Sequence, residues 1–355
     1  MDKMIKAIFL IGAPFLLSIL ITPLMKLVSK KLKIYDIPDE RKSHKEPMPL
    51  LGGIAIYFAT IVSLVLFILI FSINLEMNIF ITFIIGISGV TFMGLIDDIL
   101  SLSARRRLVV LFILALVVLI GCLQTYFEDK FIDKGFLVIA VTSLFVVLWI
   151  VAITNAINFS DGLDGLASCL SLISVIAFAI VFRAQGRGEL ALPTAVALGG
   201  ALLGFLPYNI SPAKIFMGDS GSMFIGFMLG MQSIMSLSAQ EDIIAFLVVP
   251  IYFMIVPISD MCVSVLRRLI TQRSIMQPDH LHFHHKLNER FKNHRVVVLI
   301  LSLAQLLFAG LGLLIYFCKA YLAGWIGMGV LAIILCSYTV RYEIKDRKKS
   351  KQIPA

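Results

Sequence analysis

The chain has 355 residues, 59% of them hydrophobic and 15% charged, where soluble globular proteins run at about 45–50% and about 25%. That excludes a soluble domain and points to an all-α polytopic membrane protein. The formal net charge of +9 is no sign of a nucleic-acid partner, because in such a chain Lys and Arg first report which side of the membrane a loop faces.

Taken in order, Lys3 and Lys6 precede an apolar run that reaches Val28 without a small-residue cleavage site, so it reads as a retained first span over 5–28. Further runs of spanning length, roughly 17–25 residues each, follow at 50–71, 78–96, 108–124, 136–157, 166–182, 190–206, 222–238, 243–266, 296–317 and 321–340, about eleven helices in all. The loops separate by charge. One set holds Lys30, Lys31, Lys33, Arg41, Lys42, Lys45, Arg105, Arg106, Arg107, Lys214, Arg267, Arg268, Arg273, Lys286, Arg290, Lys292 and Arg295, and the tail adds six more basic residues. The opposite set holds only Lys3, Lys6, Lys130, Lys134, Arg183, Arg187 and Lys319. The bias places the first set in the cytoplasm, the N-terminus outside and the C-terminus inside. A single transmembrane domain over 1–340 and a basic, frayed tail over 341–355 are expected. Cys122, Cys169, Cys262, Cys318 and Cys336 have no paired spacing and read as small core residues. Glycines at 52, 53, 86, 89, 94, 199, 200, 204, 226 and 230 imply close helix packing.

Four polar clusters interrupt the apolar pattern: Asp97-Asp98; Asn155, Asn158, Asp161 and Asp164 within 154–167; Phe216-Met217-Gly218-Asp219-Ser220-Gly221-Ser222; and His280, His282, His284 and His285. An even number of spans separates each from the next, so all four share one membrane face whichever way the chain is inserted. Each has a plainer reading by itself. The 154–167 stretch could be a polar hinge, although in a helical turn Asn158, Asp161 and Asp164 would project from one side. Asp97-Asp98 could cap a helix end or pair with Arg105–Arg107, and the Gly218–Gly221 segment could be a turn and an N-cap. Lys214 could snorkel. The histidines could form a structural loop or a zinc site, but no Cys is near and the carboxylates favour a hard cation.

Together the clusters set carboxylates, an amide, imidazoles and arginines on one face. Carboxylate and amide oxygens suit Mg²⁺ shared with substrate phosphates, and Arg and imidazolium suit pyrophosphate. No Walker A loop and no G-x-G-x-x-G after a strand occurs. That combination fits phosphoryl transfer between a water-soluble pyrophosphate donor and a lipid acceptor. A transporter would instead hold its charges near the midplane in matched broken halves, and no such repeat is visible.

At Asp36-x-Pro38, Arg41-Lys42-x-His44, Pro49-x-x-Gly52-Gly53, Asp97-Asp98, Asn155–Gly165, Pro212-Ala213-Lys214, Phe216–Asp219 and His282-Phe283-His284-His285, the sequence resembles the polyprenyl-phosphate N-acetylhexosamine-1-phosphate transferases. The histidine pattern is similar to the WecA/TagO branch and not to the phospho-MurNAc-pentapeptide transferases, which would carry three consecutive histidines. The resemblance implies transfer of N-acetylhexosamine-1-phosphate, GlcNAc-1-phosphate first, from a UDP-sugar to undecaprenyl phosphate in a bacterial cell membrane. It implies Mg²⁺, with Mn²⁺ as a substitute, at Asp219 and Asn158 with Asp161 close by. Asp97 and Asp98 would line the acceptor phosphate, with one of them as candidate general base, and His282, His284 and His285 would hold the donor phosphates. Arg107, Asp164, Asn209, Lys214, His44 and Lys45 are the substrate-binding candidates, Asp164 at the uracil end. The loop carrying His44 and Lys45 could equally bind anionic headgroups of membrane lipids. A homodimer is expected by analogy.

Overall fold

The computed structural model describes residues 2–37, 46–73, 75–122, 136–187, 190–237, 243–272 and 283–350. The chain is helical almost throughout: α1 Asp2–Leu32, α2 Gly52–Phe71, α3 Met77–Leu100, α4 Ala104–Cys122, α5 Phe136–Ser160, α6 Leu166–Ala184, α7 Ala191–Asn209 and α8 Gly218–Leu237. Then come three short helices, α9 Ile243–Phe246, α10 Val248–Phe253 and α11 Ile255–Ile270, followed by α12 Phe283–Phe291, α13 His294–Cys318 and α14 Tyr321–Ser350. A two-residue antiparallel ribbon, β1 Tyr35–Asp36 with β2 Met48–Pro49, closes the first loop.

Nine helices among the described residues are long and apolar enough to cross a membrane. The chain is a multi-pass membrane protein. The two other expected spans differ for visible reasons. α4 carries Arg105–Arg107 in its first turn. The expected span over 243–266 is broken into α9, α10 and α11. The helices on the near side of each break end four residues before Pro250 and Pro257, whose missing N–H groups leave the carbonyls of Phe246 and Phe253 without their helical donors. Phe253 O is served instead by Ser174 Oγ at 2.6 Å and by Gln305 Nε2, while Gln305 Oε1 accepts from Val256 N at 3.1 Å. The last helix runs on past its apolar part into the basic tail, to Ser350.

The molecule is arranged around α8. Every residue of that helix except Asp219 is buried, with α2, α3, α5 and α6 against it. Lipid tails are as apolar as the helices, so burial alone does not drive such contacts and close backbone approach must. Small residues allow it. A Cβ on Gly53 would lie 2.1 Å from Gly221 N, and one on Gly94 would lie 2.5 Å from Asp219 O. The cysteines are not core residues as expected. Cys262, Cys318 and Cys336 are exposed and Cys169 is half-buried, which costs nothing where the outer surface faces lipid; the side chain of Cys122 lies outside the described residues.

Candidate functional site

The site is built at the N-terminus of α8. Gly218 turns the chain into the helix with φ +71°, and a Cβ there would meet Asp98 Oδ2 and Leu50 O at 2.7 Å each, so only glycine fits. The first N–H groups of any helix have no partner within it. Here Asp98, on the last turn of α3, supplies both acceptors: Oδ1 takes Asp219 N at 2.7 Å and Oδ2 takes Ser220 N at 3.1 Å. The pairing places a carboxylate against the positive end of the helix dipole.

Asp97 points elsewhere. It is 5% exposed, its Oδ1 accepts from Leu102 N at 2.7 Å and its Oδ2 from Arg107 Nη1 at 2.9 Å. The same Nη1 lies 3.7 Å from Asp219 Oδ2. All four oxygens of the Asp97-Asp98 pair therefore already accept a bond. Asn158, near the end of α5, brings Nδ2 to Asp219 Oδ1 at 2.6 Å and to Ser222 Oγ at 2.9 Å.

α5 stops at Ser160, and 161–165 is a turn and not a helix. The three oxygens of Asn158, Asp161 and Asp164 consequently do not share one helical face, and the two aspartates have different tasks. Asp164 Oδ2 accepts from Ala213 N at 3.0 Å and so pins the loop that leads to Asp219. Asp161 is half-buried. Burial, and then the fields of Asp219, Asp98, Asp36 and Asp164, push its carboxyl well above the usual carboxylate range.

Asn209 is 2% exposed. Its Oδ1 accepts from Ser168 Oγ at 2.8 Å and its Nδ2 donates to Ile215 O at 3.3 Å. The amide is spent on α6 and on the loop, so Asn209 presents no open surface to a substrate. Lys214 is exposed on the same loop, held by Lys214 N to Tyr208 O at 2.8 Å. His44, Lys45, His280 and His282 lie outside the described residues. His284 and His285 fall in the first turn of α12, but their side chains also lie outside them.

The structure thus gathers Asp97, Asp98, Arg107, Asn158 and Asp219, from four helices, at one end of the bundle. It gives a site role to two residues that the sequence marks without one, Ser222 as the end of the third cluster and Arg295 as a loop cation. Ser222, three after Asp219 and so on the same helical face, steadies Asn158. Arg295 Nε donates to Ser211 O at 2.9 Å, and nothing in its sequence context gives that away.

Among the described residues no three His, Cys, Asp or Glu side chains converge tightly enough to hold a metal by themselves. The donor chemistry still fits a hard cation: oxygens from Asp219, Asn158 and Asp161, no thiolate, and an excess of carboxylates over the single Arg107 guanidinium. A cation held by one or two carboxylates and completed by substrate phosphates is the usual arrangement for Mg²⁺.

The profile of Glycosyl transferase family 4 matches residues 80–237, the stretch from α3 through α8. Over 309 residues the chain is 33% identical to the probable undecaprenyl-phosphate N-acetylglucosaminyl 1-phosphate transferase of Bacillus subtilis (strain 168), covering 87% of this chain and 84% of that one. It is 33% identical over 310 residues to the decaprenyl-phosphate N-acetylglucosaminephosphotransferase of Mycobacterium leprae (strain TN), covering 79% and 77%. To the phospho-N-acetylmuramoyl-pentapeptide-transferase of Clostridium beijerinckii it is 36% identical over 246 residues, covering 62% and 71%.

Proposed function

The chain belongs to glycosyl transferase family 4, among the polyprenyl-phosphate N-acetylhexosamine-1-phosphate transferases, and on that premise we propose that it transfers GlcNAc-1-phosphate from UDP-GlcNAc to undecaprenyl phosphate and releases UMP. The observation that carries the reading is the convergence of Asn158, Arg107 and the Asp97-Asp98 pair on Asp219. The Lys and Arg distribution supports a cytoplasmic position for this end of the bundle.

In the proposed reaction an acceptor phosphate oxygen attacks the β-phosphorus of the donor. The bond from that phosphorus to the bridging oxygen breaks, and the electron pair leaves with UMP. Asp219 and Asn158, with Asp161 beside them, would hold a divalent cation, which when bound supplies neutralising charge to the diphosphate. Asp98 fixes the first turn of α8 and with it the position of Asp219. Asp97 orients Arg107, whose guanidinium then stands between two carboxylates with its remaining donors for phosphate. Proton removal is a small task here. A phosphate monoester has a second pKa of about 6, so most acceptor is a dianion at neutral pH. Four engaged oxygens on Asp97 and Asp98 support positioning over base catalysis.

The test is a donor panel with purified protein and undecaprenyl phosphate, comparing UDP-GlcNAc, UDP-GalNAc and UDP-MurNAc-pentapeptide with and without EDTA. UDP-GlcNAc should yield lipid-linked GlcNAc diphosphate and UMP, and EDTA should stop it until Mg²⁺ is restored. Turnover that EDTA leaves untouched, or preference for the pentapeptide donor, would overturn the reading.

A further inference from the structure

Two contacts tie the helix that carries the histidines to the acidic end of α8. α12 begins at Phe283, so His284 and His285 sit in its first turn. One turn on, Leu287 packs against a small apolar cluster of Leu163, Leu166, Leu170, Val297 and Leu301 that is separate from the main core. Leu163 stands between Asp161 and Asp164 in the chain, so the cluster that Leu287 covers takes one of its members from the carboxylate turn.

The second contact runs through the next helix. α12 ends at Phe291, and Lys292 turns the chain with φ 50° while its N–H closes on Asn288 O at 2.8 Å. Asn293 Oδ1 then caps α13, accepting from Arg295 N at 3.1 Å and Val296 N at 3.4 Å. A two-residue joint capped on both sides leaves α12 little freedom relative to α13. From the first turn of α13, Arg295 Nε donates to Ser211 O at 2.9 Å. Ser211 opens the loop into Asp219, which Asp164 and Asn209 hold through Ala213 N and Ile215 O.

We infer that Arg295 and Leu287 are positioning residues that set the histidine helix in register with the Asp161–Asp164 turn and with the loop before Asp219. The transferase reading enters only in what the histidines then do. The seating itself follows from the apolar cluster, the two-residue joint and one hydrogen bond to a loop carbonyl. Since that bond needs an N–H and not a charge, glutamine is the informative replacement: its Nε2 stands at the same branch position as Arg Nε but carries no charge.

The experiment uses the full chain in detergent. Hydrogen exchange of amides 286–291 is followed without substrate, and kcat/KM for UDP-GlcNAc is measured in parallel. Arg295→Ala should speed exchange and lower kcat/KM, each about three- to tenfold, the worth of one hydrogen bond, while Arg295→Gln returns both to within about twofold of the parent. Leu287→Ala should speed the same amides. Equal loss of kcat/KM from Gln and Ala would mean that the charge acts on the donor directly, and exchange unmoved by both alanine variants would mean that these contacts do not seat α12. Either result overturns the inference. A parent protein that transfers no sugar phosphate while its α12 amides respond as stated would sink the transferase reading and leave the seating standing.

Discussion

Asp97 and Asp98 are neighbours in sequence but about 100° apart around α3, so adjacent carboxylates serve different helices. The sequence places both at the end of a span and on one face with Asp219, but assigning their partners requires knowing which helix lies on each side. The division predicts different phenotypes. Asp98→Ala leaves two part-buried N–H groups at the start of α8 without their acceptor and should destabilise the fold by roughly 2–4 kcal/mol, seen as a lowered melting point in detergent. Asp219→Ala should abolish turnover with little change in melting point, because Asp219 is the one residue of α8 that is not buried. The reverse pattern would exchange their roles. Asp161 gives a pH signature. Its folded-state pKa is raised, so above the ordinary Asp value, about 3.9, the folded chain retains a proton that the unfolded chain has released. Stability of EDTA-treated protein should fall as pH rises from there through the raised value, by at most about 1.4 kcal/mol per pH unit from this one proton. Asp161→Asn should flatten that slope; an unchanged slope would place the titration elsewhere.

The helices themselves are the most legible feature, since apolar runs of spanning length can hardly be anything else in a membrane. What the runs conceal is interruption. The 243–266 stretch looks continuous, yet it contains Pro250 and Pro257, and each withholds the N–H that the carbonyl one turn back would accept. Which side chains would mend the break was not readable, because Gln305 and Ser174 lie 52 and 79 residues from Phe253. Gln305→Leu should therefore strand Val256 N and half-strand Phe253 O at a cost of about 1–3 kcal/mol, measured by thermal denaturation. An unaltered melting point would show that Ser174 suffices for Phe253 O and that Val256 N needs no side-chain acceptor. The turn after α5 is the complementary case: a three-residue spacing suggests one helical face, but Gly162 and Gly165 end the helix and send Asp164 to the loop at Ala213.

At the scale of the whole molecule, counting spans places the four polar clusters on one face, and the described clusters do meet at one end of the bundle. The side of the membrane is a separate matter. A single cysteine at the exposed Ser101→Cys position should react with a membrane-impermeant maleimide in inverted vesicles and not in intact cells; the opposite result would turn the topology over. One further consequence comes from α8. Of the nine spanning helices it is the least apolar, and it is also the one that lipid does not touch. A segment of that kind is a poor passenger for membrane insertion if it arrives alone. It emerges from the ribosome, however, only after α2, α3, α5 and α6 have been made, so the earlier helices become its solvent. Synthesis order thus does for this axle what its own composition cannot, and a permuted chain that delivered 218–237 first would be expected to stall at the translocon.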